Sequence, residues 1–219
     1  MKILAFDTSG KACSVALCHE DKEKVLHEVM PMQQASSILP MINDLLSSFS
    51  LCVSELDAIA YGCGPGSFTG VRIASSVAQA LSFAHQVPII RISSLRVMAH
   101  TAFLDLAWHK LLIAVDAKCG DIYWAVYEYN QNGNLVSMNQ EYLCKKENIN
   151  TLDKSEEWYG IGDGWEQYYS DLTMHLGFAP LNINISLLPH AKALLNLAKS
   201  KYIEGDFVSQ SEALPHYLR

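Results

Sequence analysis

The residues GCGPGSFTGVR at 62–72 have the composition of a helix entrance that could hold an anion or dock a partner. Glycine reaches backbone angles closed to other residues, and Pro65 fixes its own φ. Ser67 or Thr69 can accept hydrogen bonds from the unpaired N–H groups of a first turn. Recognised phosphate cradles need more than this. A P-loop requires GxxxxGK followed by Ser or Thr, and no Lys follows these glycines; a dinucleotide fingerprint would need glycine where Ser67 stands. Spacing alone therefore favours a tight strand-to-helix turn. Ser67 also lacks a GxSxG elbow, because Phe68 and Thr69 follow it. Cys63 and Cys119 sit beside glycines without a base identifiable from sequence, so both are expected to be structural.

Two carboxylates, Asp7 and Asp116, each end a short apolar run, Ile3 to Asp7 and Leu111 to Asp116. Strand-end carboxylates can order magnesium and phosphates, or simply cap a hairpin turn; the second reading is favoured. Gly160, Gly162 and Gly164 admit a similar choice between an adenine-side loop and a plain turn. The eight histidines, His19, His27, His85, His100, His109, His175, His190 and His216, are never four apart. A helical metal-binding pair of that spacing is therefore not expected, which weakens both metallopeptidase and carbamoyltransferase readings.

The 219 residues are 50% hydrophobic, ample for a buried core, and the formal net charge is −7. That charge argues against a domain gripping nucleic acid unaided. Six cysteines form no CxxC pair, so neither a disulfide frame nor a zinc knuckle is indicated. Met1 to Phe6 is too short for a signal-peptide core and no run reaches membrane-spanning length, so a cytoplasmic protein is expected.

Periodicity places strands at Ile3 to Asp7, Cys13 to Cys18 and Lys24 to Met30, an antiparallel meander. Ile38, Met41, Ile42, Leu45, Leu46 and Phe49 then share one helical face, with Pro40 near the first turn or kinking the helix. Leu56 to Gly62 reads as a strand, Phe68 to His85 as a helix, and Val87 to Ile92 as another strand. The Phe68 to His85 helix is apolar around most of its circumference, leaving a polar stripe of Arg72, Ser75, Ser76, Gln79 and Ser82. Internal burial and a subunit interface both remain open for it. The chain then begins again: strands at Leu111 to Asp116, Ile122 to Tyr129, Leu135 to Met138 after an Asn-Gly turn, and Trp158 to Ile161. GDGW at 162–165 leads into a helix, and Leu187 to Lys201 forms a final one. Lys145 to Glu157 reads as a connecting loop. The expectation is an α/β fold of two βββαβα-type lobes, residues 1–106 and 107–219, with the last helix, about 187–201, either in the second lobe or packed back on the first.

The segments ILAFDTSGKACSVAL at 3–17, YGCGPGSFTGVRI at 61–73, AVDAKCGDIYWAVY at 114–127, GIGDGW at 160–165 and PHYLR at 215–219 resemble the TsaB (YeaZ) family. These landmarks span nearly the whole chain, and GPGSFTGVR is the most specific of them. The resemblance implies a duplicated actin-like (ASKHA, ribonuclease H-like) fold, related to the glycoprotease-like TsaD enzymes. It implies a non-catalytic scaffold of the bacterial complex that installs threonylcarbamoyl on the adenosine beside the tRNA anticodon. Such a chain pairs with a TsaD-type catalytic subunit, works with a TsaE-type ATPase, and forms a homodimer when alone. It meets tRNA only through the complex and holds no cofactor itself, although the complex uses ATP. The expected partner interface comprises Ile38, Met41, Leu45, Pro65, Phe68, Val71, Arg72, Ser75, Ala78, Gln79 and Ser82, from helices at Ser36 to Phe49 and Phe68 to His85. An alternative is a nucleotide-dependent enzyme of kinase or ATPase class, in which Asp7, Thr8, Asp116, Gly162 and Asp163 bind the nucleotide.

Overall fold

The computed structural model describes residues 1–149, 152–154 and 156–218. Asn150, Thr151 and Ser155, within the expected 145–157 loop, and Arg219, at the end of the PHYLR landmark, lie outside the described residues. The chain divides into two compact units, one of residues 1–97 with 189–216 and the other of 98–188 with Tyr217 and Leu218. The last helix therefore groups with the first unit, and the division falls before the expected 106/107 boundary.

In the first unit, β1 (Lys2–Asp7), β2 (Ala12–His19) and β3 (Lys22–Val29) form the antiparallel meander. Helix α1 (Gln34–Ser48) leads to β4 (Ala58–Gly62), which pairs parallel with β1. Helix α2 (Phe68–His85) leads to β5 (Ile89–Ile92), which pairs parallel with β4. The sheet order is β3-β2-β1-β4-β5. Period-two alternation sends Leu4, Phe6, Val15, Leu17, Ile59 and Ile89 into a core with α1 and α2. The opposite face presents Ile3, Ala5, Ala16, Ala58, Ala60 and Ile90 to α5 (Ala191–Glu204), which answers with Ala191, Leu194, Leu195 and Ala198. The small residues on both surfaces let α5 lie close against the sheet.

Helix α3 (Ser94–Leu106) carries the chain from the first unit into the second. There β6 (Lys110–Lys118) and β7 (Asp121–Tyr129) form an antiparallel hairpin, and β8 (Leu135–Ser137) and β9 (Tyr142–Lys145) both pair with β7. Strand β10 (Tyr159–Ile161), helix α4 (Gly164–Leu176) and β11 (Asn182–Asn184) follow, giving the order β11-β10-β6-β7-β8. This repeats the first sheet's scheme. The counterpart of α1 is missing among the described residues, where a 3-10 turn at Lys146–Asn148 stands instead. Trp124, Trp158, Trp165 and Leu172 form the core under α4.

Several boundaries differ from expectation. The final helix begins at Ala191 rather than Leu187, because Pro189 precedes it and the His190 side chain caps it by accepting from the Lys192 amide. Pro40 lies well inside α1, with its side chain exposed, and does not end the helix.

Candidate functional site

The glycine loop closes over the turn between β1 and β2. Asp7 Oδ1 accepts from the Ser9 amide and hydroxyl, both at 2.7 Å, and Oδ2 accepts from the Ser94 hydroxyl at 2.8 Å. Ser94 continues the network, since its Oγ accepts from the Gly64 amide at 3.1 Å and its own amide donates to the Gly64 carbonyl at 2.9 Å. The Thr8 hydroxyl donates to the Gly70 carbonyl at 2.7 Å, and the Ser67 amide to the Ser9 carbonyl at 2.7 Å. Asp7 and Thr8 are both buried. Glycine is required by contact most tightly at two positions: a Cβ on Gly62 would stand 1.7 Å from Asp7 Oδ2, and one on Gly70 would stand 1.9 Å from the Thr8 carbonyl. Ser67 caps α2 by accepting from the Gly70 amide. Burial pushes the Asp7 carboxyl above its ordinary value, opposed by the donors from Ser9 and Ser94. The local chemistry is that of a buried turn cap welded to a helix start.

In the second unit Asp116, Gly162 and Asp163 come together. Asp163 Oδ1 accepts from the Asp116 amide at 3.0 Å. Asp116 accepts from the Lys118 amide at 2.9 Å, from the Lys118 ammonium at 2.6 Å and from the Tyr168 hydroxyl at 3.3 Å. Burial works to raise the Asp116 pKa, but the Lys118 hydrogen bonds and charge, with Tyr168, hold it below the ordinary carboxylate value. Helix α4 is kinked at Tyr168, the residue that reaches Asp116. Gly162, at φ +101°, packs so closely that a Cβ would lie 2.4 Å from the Ala114 carbonyl. Of the two cysteines beside glycines, Cys63 is buried and Cys119 is exposed.

The residues expected at a partner interface divide sharply. Phe68 is 61% exposed and Arg72 is exposed, its guanidinium carbon 3.6 Å from the Phe68 ring centroid. The others correct the expectation, apart from Ile38 at the floor of the groove between α1 and α2. Ile38, Met41, Leu45, Pro65, Val71, Ser75, Ala78 and Ser82 are buried, and Gln79 is partly buried. The α1 residues Ile38, Met41 and Leu45 pack into the core with the sheet, as do the small Ala74 and Ala78 of α2, while Gly70 abuts the turn after β1. The polar stripe of α2 is also covered from within: Ser75 and Gln79 donate to the carbonyls of Ala213 and Gln210, and Ser82 donates to that of Val87.

The outward side of the same helix pair is what remains open. Ala35, Leu39, Phe68, Thr69, Arg72, Ile73, Ser76 and Val77 line a groove of 480 Å³ between α1 and α2, with Ile38 at its floor. Leu39 is 53% exposed and, further along α2, Phe83 is 71% exposed. Sequence periodicity missed Leu39 and Phe83 as surface groups, although Leu39 lies off the face of α1 shared by Ile38, Met41 and Leu45.

Two sheets of the same strand scheme, each starting with an antiparallel hairpin and continuing parallel, define the duplicated actin-like, ribonuclease H-like α/β class. The profile of the family described as "TsaD: tRNA N6-adenosine threonylcarbamoyltransferase" matches residues 18–198. The tRNA threonylcarbamoyladenosine biosynthesis protein TsaB of Escherichia coli (strain K12) is 38% identical over 221 residues, covering 100% of this chain and 95% of that one. Its namesake in Haemophilus influenzae is 32% identical over 229 residues, covering 100% and 94%. The solved structure of YeaZ from Pseudomonas aeruginosa superposes with a TM-score of 0.91 at 39% identity, covering 99% of each chain. The chain belongs to the TsaB (YeaZ) family.

Proposed function

We propose that this protein serves tRNA threonylcarbamoyladenosine biosynthesis as a non-catalytic scaffold, holding a TsaD-type catalytic subunit against the outward side of α1 and α2. The observation that carries this reading is the exposed apolar groove with Leu39, Phe68 and Val77 around Arg72. Clustered apolar surface of this kind on an otherwise acidic chain marks a docking face. Two helices can supply the roughly 800 Å² per partner that specific interfaces bury. A second copy of the chain occupies the same face when the catalytic subunit is absent, a TsaE-type ATPase acts on the assembled complex, and tRNA is met through that complex. The carboxylates fit this division of labour, because Asp7 already accepts from three donors and Asp116 from Lys118 and Tyr168.

Co-purification with a TsaD-type partner, read by size and mass, tests the proposal. Wild type is expected to form a stoichiometric complex. Phe68→Asp is expected to lose it while the isolated chain keeps its stability to within about 0.5 kcal/mol, as exposed substitutions do. A complex that survives this substitution would place the interface elsewhere, and no complex with wild type would overturn the scaffold reading.

A further inference from the structure

The C-terminal residues of the first unit run back along the inner edge of α2. Helix α5 ends at Gly205, in the left-handed region at φ +71°. Val208 then bridges to Ile89 on the edge of β5, its amide donating to the Ile89 carbonyl at 2.9 Å. Gln210 donates to the Ser82 carbonyl at 3.3 Å, while Gln79 donates to the Gln210 carbonyl at 3.1 Å. Further on, the Ser75 hydroxyl reaches the Ala213 carbonyl at 2.5 Å and the Tyr61 hydroxyl the Leu214 carbonyl at 3.1 Å. Finally the His216 amide donates to the Cys63 carbonyl at 2.7 Å, within the glycine loop.

Ser75, Gln79 and Ser82 recur at i, i+4 and i+7, so one helical face meets the returning chain for about two turns. The segment is thus tied to the edge of β5, to the inner side of α2 and to the loop from which α2 starts. Half of these ties end on the segment's own backbone carbonyls, and in the other half the segment donates. From Ser209 to Leu214, Ala213 alone is buried. An element whose hydrogen bonds are mostly only part-buried, and whose apolar burial is limited to Ala213 and the partly buried Val208, belongs to the part of a fold that opens more readily than its core.

We infer that residues 206–216 form a strap whose seating holds α2, and with it the outward groove, in the arrangement that accepts a partner. Strap and groove lie on different sides of one helix, and a strap that favours pairing is by reciprocity tightened by pairing. The link to pairing rests on the function proposed above; the latching of α2 does not.

Two independent variants of the full chain loosen the strap without touching the groove: Gln79→Ala removes the side chain that holds Gln210, and Val208→Pro removes the amide bonded to Ile89. Amide hydrogen exchange over 206–216 and over 63–85, with far-ultraviolet circular dichroism to verify folding, reads the result. Strap exchange is expected to rise about tenfold in each variant, with faster exchange in α2 beside it. Affinity for a TsaD-type partner is expected to fall about fivefold, and partner binding to slow strap exchange in wild type. A loosened strap with α2 exchange and pairing unchanged would reduce the segment to passive packing and overturn the inference. So would a strap that stays protected in the Gln79→Ala, Val208→Pro double variant. If wild type pairs with no partner, the proposed function fails, and the exchange of α2 still decides whether the strap is a latch.

Discussion

Three donors converge on the Asp7 carboxylate, and the space on its far side is filled by the backbone of Gly62. The charge is therefore held in a dry turn, and burial raises the carboxyl above its ordinary value of 3.8. The folded chain then binds this proton more tightly than the unfolded chain does. Asp7's contribution to stability accordingly declines as pH rises from the unfolded pKa through the raised folded one. Asp7→Asn removes that dependence. Its stability relative to wild type is expected to improve in urea melts as pH rises above the ordinary carboxylate value, and the opposite slope would mean that the Ser9 and Ser94 donors outweigh burial. The capping role of Asp7 was legible in its place after an apolar run and before Thr-Ser-Gly. Ser94 was not, because it lies 87 residues away and nothing local marks it.

Helix α2 shows where periodicity stops being informative. A helix that is apolar around most of its circumference has no stripe to announce which side is inward, and its polar residues do not settle the matter, since Ser75, Gln79 and Ser82 are covered by neighbouring backbone. Residue size decides it: Ala74 and Ala78 go to the sheet, and Phe68 and Phe83 go out. Ala78→Arg is thus a core substitution. It should cost more than about 4 kcal/mol through overpacking and an unpaired buried charge, and leave no cooperative melt. A folded Ala78→Arg chain would show that the sheet side of α2 is looser than its burial implies. Helix α3 was missed for a related reason: Leu95, Val97, Met98, Ala99 and Ala102 are all buried, so no amphipathic period survives. Strand β11 is only Asn182–Asn184, too short to alternate, and β9 falls where charged residues masked it.

Across the whole molecule, the duplication was legible because two apolar runs ending in Asp each open a hairpin, and the structure repeats the strand order that they begin. The allegiance of the last helix was not settled by sequence, since an alanine-rich face fits either sheet in pattern. The alanines of β1, β2 and β4 settle it, by giving α5 a surface that it can approach closely. A chain ending after Leu188 is therefore expected to keep exchange protection in β6 and β7 and to lose it in β1 and β4, as read by hydrogen exchange. Equal protection in both sheets would show that α5 is dispensable to the first.

This connectivity also sets an order of events on the ribosome. The first sheet to be translated lacks one of its covers until residues 189–216 have left the exit tunnel, by which time every strand of the second sheet is already available. At translation rates of about 5–20 residues per second, the nascent first sheet waits roughly 5–20 s with Ile3, Ala5 and Ile90 open to water. The amino-terminal half of this protein is thus begun first and finished last, with an apolar face left bare during that interval.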